Sequence, residues 1–260
     1  MFSRPCALFL AAGLCSVFGQ SQSNSIVDGT KTTVPPPQAA TKTLTPEMRG
    51  DIFMARKMYR EAIETFREGS PKDPILLNKT GIAYHQLMQL DNARKSYEQA
   101  IKLKPDYVEA LNNLGTVYYA KKSPRRAIGW YNRALKIAPD ESKSASIYMN
   151  LGTAYFARKR YEDATTAYRK ALTLDPEVFE RHGNFGVMLE ERSVEERGKF
   201  HFYLAKLYAK DGRSELALQY LRKSLEEGFR DKKMAELPEF ATMKDLPEFK
   251  QLLTLEPRVL

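Results

Sequence analysis

Two cysteines, three histidines and one tryptophan are few in 260 residues, and they leave little to build reactive chemistry from. Both cysteines, Cys6 and Cys15, fall in the first fifteen positions. The histidines His85, His182 and His201 stand in no HExxH or paired His–carboxylate spacing. There is no G-x-S-x-G elbow, no P-loop and no dinucleotide-binding glycine pattern. Nor does any pair of carboxylates stand out from background. Thiol, metal and cofactor catalysis are therefore excluded as readings. The chain is expected not to be an enzyme, to use no cofactor and to take no small-molecule substrate.

Long apolar runs are equally scarce. Cys6 to Phe18 is a run of thirteen residues, too short to span a bilayer. Arg4 is the only charge before Asp28, so residues 1–19 read as an export signal, with Val17-Phe18-Gly19 offering the cleavage site. A lipoprotein signal acylated at Cys15 would need a small residue before the cysteine, and Leu14 stands there. An uncleaved anchor is the other alternative, which would leave the chain membrane-associated. The expected location is periplasmic or secreted. Once cleaved, the chain would hold no cysteine, which suits an oxidising compartment. Residues 20–43 are rich in Ser, Thr, Gln and Pro around Val34-Pro35-Pro36-Pro37, and read as a flexible spacer.

What the chain has in quantity is repetition. With Gly115 as origin, Tyr118 follows at three, Ala127 at twelve, Tyr131 at sixteen, Ala134 at nineteen and Pro139 at twenty-four. The same offsets from Gly152 give Tyr155, Ala164, Tyr168, Ala171 and Pro176. From Gly81 they give Tyr84, Ala93, Tyr97, Ala100 and Pro105, and from Gly50, Phe53, Ala62, Phe66, Gly69 and Pro74. Gly and Tyr three apart share one helical face, as do the residues at twelve, sixteen and nineteen. The small residues let two antiparallel helices approach, the aromatics fill the space between, and Pro ends each unit.

The Gly-to-Gly steps of 31, 34, 37 and 34 residues, with Gly-to-Pro constant at 24 in the complete copies, resemble the tetratricopeptide repeat. That resemblance implies an all-α, right-handed superhelical solenoid of antiparallel helix hairpins over residues 44–229. Its units are expected at about 44–74, 75–107, 108–141 and 145–178, with a degenerate stretch at 179–229. From Gly186 the offsets give Leu189, Gly198, Phe202 and Ala205. The same helix also reads as the first half of a further hairpin with Tyr208, Gly212, Ala217, Leu221 and Ser224. Ser193-Val-Glu-Glu196 forms a capping box at its start. Residues 230–260, with Leu237-Pro-Glu-Phe240 and Leu246-Pro-Glu-Phe249, are expected to cap the last hairpin.

The resemblance also implies a function, that of a scaffold binding a protein or peptide along its concave groove. In such arrays the residue two before the grid glycine faces the groove; here it is Met48, Lys79, Asn113, Asn150 and Asn184. A side-chain amide both donates and accepts, so an asparagine ladder can hold the main chain of an extended segment. Asn112, Thr116, Tyr119, Met149, Thr153 and Phe156 are expected beside it. The alternative is that these asparagines bond across the contact between helices. Only Lys79 partly matches the family's carboxylate clamp, so recognition of chaperone tails is not expected.

The net charge of +9 suggests a second surface. The turns inside the hairpins carry Arg56, Lys57 and Arg60, then Lys121, Lys122, Arg125 and Arg126, then Arg158, Lys159 and Arg160. Stacked along one edge, they would make a basic stripe suited to an anionic membrane surface or an acidic polymer. Nucleic acid is not expected, because it fits the charge but not the export signal. Trp130 reads as an exposed anchor on the convex face.

Overall fold

A computed structural model describes residues 44–138, 142–180 and 193–255. The export segment, the spacer, His182, Asn184 and Gly186 lie outside them. Among the described residues the chain is helical, with no strands. Its helices are α1 (Pro46–Ala55), α2 (Tyr59–Arg67), α3 (Pro74–Gln86), α4 (Leu90–Leu103), α5 (Val108–Ala120) and α6 (Pro124–Ile137). They continue with α7 (Ala145–Ala157), α8 (Tyr161–Leu174), α9 (Val194–Lys210), α10 (Ser214–Glu226) and α11 (Pro247–Thr254).

The helix starts follow local chemistry. Thr45 Oγ1 accepts from the Met48 amide at 3.2 Å, and Asp73 Oδ1 accepts from Ile75 and Leu76 at 2.8 and 3.4 Å. In both cases Pro occupies the first helical position, where no amide donor is missed. Ser193 Oγ accepts from the Glu196 amide at 3.2 Å at the start of α9.

Helices pair in sequence as α1/α2, α3/α4, α5/α6, α7/α8 and α9/α10, and the pairs stack into a solenoid. Each of the first four pairs closes on one contact. The grid glycine of the first helix lies under the aromatic ring sixteen residues on. A Cβ built at Gly50, Gly81, Gly115 or Gly152 would sit 2.2 to 2.5 Å from a ring carbon of Phe66, Tyr97, Tyr131 or Tyr168. These rings are 0 to 2% exposed, and each stabilises the fold by on the order of 2–3 kcal/mol. Burial without compensating charge pushes the Tyr131 phenol well above its ordinary pKa.

The turn inside each pair is also constant. Lys57, Met88, Lys122, Lys159 and Gly212, each seven after the grid position, adopt positive φ of 59°, 58°, 55°, 59° and 77°. The next amide reaches back to the carbonyl of the grid aromatic, as in Ser123 to Tyr118 and Arg160 to Tyr155 at 2.9 and 3.0 Å. This is a Schellman turn, and it satisfies carbonyls that the end of the helix leaves open.

The fifth hairpin departs from the Gly186 register. Helix α9 pairs with α10 as a first helix, so its origin is Ala205, with Tyr208, Gly212, Ala217, Leu221 and Ser224 in the grid positions. Gly198 belongs to a different contact, where a Cβ would meet Phe229 Cβ at 2.8 Å. Ala205 lies 53 residues after Gly152, so this unit follows a long insertion.

Beyond α10 the chain turns at Gly228 (φ 81°) into two short 3-10 turns, Met234–Glu236 and Pro238–Met243, and then α11. Phe240 and Phe249 are fully buried with ring centroids 5.5 Å apart, and Phe240 lies 6.0 Å from Phe202 on α9. The Arg230 guanidinium donates to the carbonyls of Leu253 and Leu255, tying the end of α11 to the turn after α10. No helix among the described residues is long and apolar enough to cross a membrane.

Candidate functional site: the wall of first helices

The first helices of successive units lie side by side, and one polar contact recurs between them. The residue two before the grid position donates to the residue three before it in the preceding unit. Lys79 Nζ donates to Glu47 Oε1 at 2.7 Å, Asn113 Nδ2 to Asn78 Oδ1 at 3.1 Å, and Asn150 Nδ2 to Asn112 Oδ1 at 3.0 Å. Lys79 also reaches Asp51 at 2.6 Å. Burial opposes its charge, but the two carboxylates hold its pKa above the ordinary lysine value.

Asn113 and Asn150, singled out in the sequence, thus belong to a zipper between repeats. Asn78 and Glu47, its acceptors, were missed, although they recur at one fixed offset from the glycine. The register also sets where the zipper ends: the fourth unit presents Met149 at the acceptor position, and a thioether is a poor acceptor.

The other expected groove residues divide into two groups. Lys79, Asn112, Asn113, Thr116 and Tyr119 are half-buried along the wall of α3 and α5. Met149, Asn150, Thr153 and Phe156 are only 9%, 8%, 2% and 5% exposed, which corrects their reading as an open groove wall. Phe156 is covered by α9, with ring centroids 5.7 Å from both Phe200 and Tyr203. The Thr153 and Thr116 hydroxyls accept from the buried phenols of Tyr168 and Tyr131 at 3.3 Å. Each also donates to a carbonyl four residues back, at 3.0 and 3.2 Å.

One pair on the wall keeps capacity to bind. Asn112 spends its oxygen on Asn150, and Asn113 spends its nitrogen on Asn78. What remains, side by side on α5, is the Asn112 Nδ2 donor and the Asn113 Oδ1 acceptor. A peptide group offers the complementary carbonyl and amide.

The basic turns are less uniform than their sequence implies. Lys121 pairs with Asp91 at 2.7 Å and Arg160 with Asp163 at 2.8 Å. The Arg160 guanidinium lies 4.5 Å from the Tyr155 ring centroid, and that of Arg126 5.7 Å from Tyr118. Lys122 is exposed at its positive-φ position. Arg56, Lys57, Arg60, Arg125, Arg158 and Lys159 are exposed and form no ion pair among the described residues. Trp130, expected as an exposed anchor, is half-buried, parallel to Tyr118 at 6.4 Å and under Arg133 at 5.4 Å.

Family models described as tetratricopeptide repeat and TPR repeat match residues 106–177 and 81–122. Residues 81–177 thus carry tetratricopeptide repeats. Among the relatives of this chain, the mouse protein O-mannosyl-transferase TMTC1 is 37% identical over 84 residues, which is 31% of this chain and 9% of that protein. The tetratricopeptide repeat domain-containing protein PYG7, chloroplastic, of Arabidopsis thaliana is 33% identical over 99 residues, covering 35% of this chain and 33% of that one. The uncharacterized protein ycf37 of Guillardia theta matches at 33% identity over 99 residues, 35% of this chain and 56% of its own length. The chain therefore spans from about a tenth to just over half of these relatives.

Among solved structures, pilF of Pseudomonas aeruginosa superposes with a TM-score of 0.54 at 16% identity, covering 80% of this chain and 86% of that one. MamA from Desulfovibrio magneticus RS-1 matches with a TM-score of 0.48 at 22% identity, over 69% of this chain and 90% of that one. The transferase relative matches over 84 residues alone. Among the described residues no cluster of His, Cys, Asp and Glu could hold a metal.

Proposed function

We propose that this scaffold works outside the cytoplasm and receives an extended segment of a partner protein along the wall of α3 and α5. The observation that carries the reading is the adjacent Asn112 donor and Asn113 acceptor, each left over from the zipper. Lys79 toward one end and Tyr119 toward the other extend the surface. The apolar run at residues 6–18 supports export, and the mass of the mature chain from its native envelope tests cleavage after Gly19.

The binding test uses a pair of variants against a control. A pull-down from envelope extract compares wild type, Asn112→Ala/Asn113→Ala and Asn150→Ala. Asn150 is buried and belongs only to the zipper, so its variant measures structural loss alone. A partner held by wild type and by Asn150→Ala, but lost from the double variant, assigns the wall. Equal loss from both variants sinks the reading.

The six turn cations that form no ion pair among the described residues favour a second reading, attachment to an anionic membrane surface or an acidic polymer. Salt separates the two, because edge binding weakens steeply with ionic strength and the amide contact does not.

A further inference from the structure

The second helices of the first four pairs do not all run equally far. Helices α4, α6 and α8 are 14 residues long, whereas α2 has 9. A helix running on through Pro71 would find no amide there for the Arg67 carbonyl. The twentieth residue after each grid glycine shows what the shorter helix loses. In the later units it is Ile101, Leu135 and Leu172, which are 7%, 7% and 6% exposed. In the first unit it is Ser70, which is exposed. Across the same junction, Thr80 stands where the next two units have buried Leu114 and Leu151. The first junction thus lacks two aliphatic side chains that the later ones possess.

Between α2, α3 and α4 it opens into a hollow of about 450 Å³. Phe66, Leu76 and Leu77 give it an apolar lining, and Leu103, 45% exposed, lines it from the end of α4. Its charges are of one sign. Arg67, Lys72 and Lys102 are exposed, and none forms an ion pair among the described residues. Among the described residues no carboxylate lines the hollow: Glu68 is taken by Arg49, Glu98 by Arg94, and Asp73 caps α3. Two hydroxyls add donors. Tyr84 accepts from the Arg67 guanidinium and Ser70 from the Lys72 amide at 3.3 Å, so each keeps its own hydrogen to give. These cations lie outside the hairpin turns and so form a surface apart from the basic edge.

We propose that this hollow is a docking site for a segment of a partner protein in which an aliphatic residue is flanked by acidic ones. The aliphatic side chain supplies from outside what Ile101, Leu135 and Leu172 supply from within the chain at the later junctions. The flanking carboxylates meet Arg67 at the end of α2, Lys72 in the loop after it and Lys102 at the end of α4. The Arg67 guanidinium can hold both oxygens of one carboxylate. Unopposed positive charge selects the acidic residues, and the missing leucine-sized group selects the aliphatic one. The inference rests on the scaffold reading but not on Asn112 and Asn113.

The test is a selection of phage-displayed random linear peptides on the full chain, with affinities of the enriched peptides measured by fluorescence anisotropy. The expected enrichment is Leu or Ile with Asp or Glu on both sides. Affinity should fall about tenfold or more in Lys72→Glu/Lys102→Glu, whose side chains are exposed and outside the core. It should fall as far in Ser70→Leu, which fills the hollow without altering charge. Arg158→Glu/Lys159→Glu makes the same change of charge on the basic edge and should bind as wild type does, as should Asn112→Ala/Asn113→Ala. No such enrichment, or equal losses in the two charge-reversed variants, overturns the site. Peptides lost only from the Asn112/Asn113 variant overturn it and leave the wall standing. Sedimentation with phosphatidylglycerol vesicles runs beside the selection. Vesicle binding lost only in Lys72→Glu/Lys102→Glu, with no peptide enriched, overturns the peptide and assigns the hollow to an anionic lipid.

Discussion

Gly115 lies under Tyr131: a methyl group on this glycine would stand 2.5 Å from Tyr131 Cε1, inside any permitted contact. The same pair, sixteen apart, recurs as Gly50–Phe66, Gly81–Tyr97 and Gly152–Tyr168. In the fifth hairpin both members change together, to Ala205 and Leu221, both fully buried. A larger residue on one helix is matched by a slimmer one on the other, as close packing demands.

Gly115→Ala is therefore destabilising by about 1–3 kcal/mol through overpacking, despite the better helix propensity of alanine. Tyr131→Leu in the same chain should recover part of that loss, because it recreates the Ala205–Leu221 pair. A double-mutant cycle in urea checks this. Purely additive effects would mean that the two residues do not share the space.

Lys159 holds φ at 59°, where glycine is at ease and a side chain is not. Lys159→Gly should gain roughly 0.5–1 kcal/mol, visible as a higher urea midpoint with an unchanged slope. The fifth turn already has glycine there, Gly212 at φ 77°. A loss of stability in the variant would mean that the Lys159 side chain does more than occupy the turn.

The zipper should carry measurable energy. Asn112→Ala leaves the buried Asn150 amide without its acceptor, at a cost of about 1–3 kcal/mol. Asn112→Asp keeps an oxygen in place and should lose less. Hydrogen exchange gives a second readout: in Asn112→Ala, amides of α5 and α7 should lose protection ahead of those in α1 and α2.

His85 supplies a pH dependence. Burial lowers its pKa below the ordinary 6.5, so it stays neutral in the fold at pH values where the unfolded chain already takes up a proton. Stability from this group is whole above about pH 6.5 and falls as pH drops toward the folded-state pKa, by at most about 1.4 kcal/mol per pH unit. His201 shifts the same way: its burial outweighs the 2.6 Å contact with Glu227, and it is flanked by Arg197 and Lys223. Denaturation midpoints from pH 7.5 to 5.5 should decline, and less steeply in His85→Gln. An unchanged slope would mean that His85 does not titrate differently in the two states.

The hairpins were legible in the sequence because their physics is local and strict. Gly, Tyr and Ala meet at fixed offsets, and Gly50, Gly81, Gly115 and Gly152 mark them plainly. The fifth unit was harder to register, because a search anchored on glycine passes over Ala205 when its ring partner has become Leu221. Gly198 and Phe202 fitted the Gly186 pattern by residue class while serving other contacts. At the site, the asparagines were visible but their partners were not, since Asn78 is matched to Asn113 by stacking and not by any spacing within one helix. The burial of Phe156 depends on α9, which arrives after the insertion and has no signature within the fourth unit.

Met149 has a consequence for how such a chain can grow. A duplicate of the third unit, inserted after the original, would find Asn112 ahead of it and would offer its own Asn112 copy to Asn150, so both new junctions would close. A unit placed after the fourth would meet a thioether where its asparagine needs an oxygen. Tandem duplication in the middle of the array thus keeps every zipper contact, whereas a unit added after the fourth goes without one.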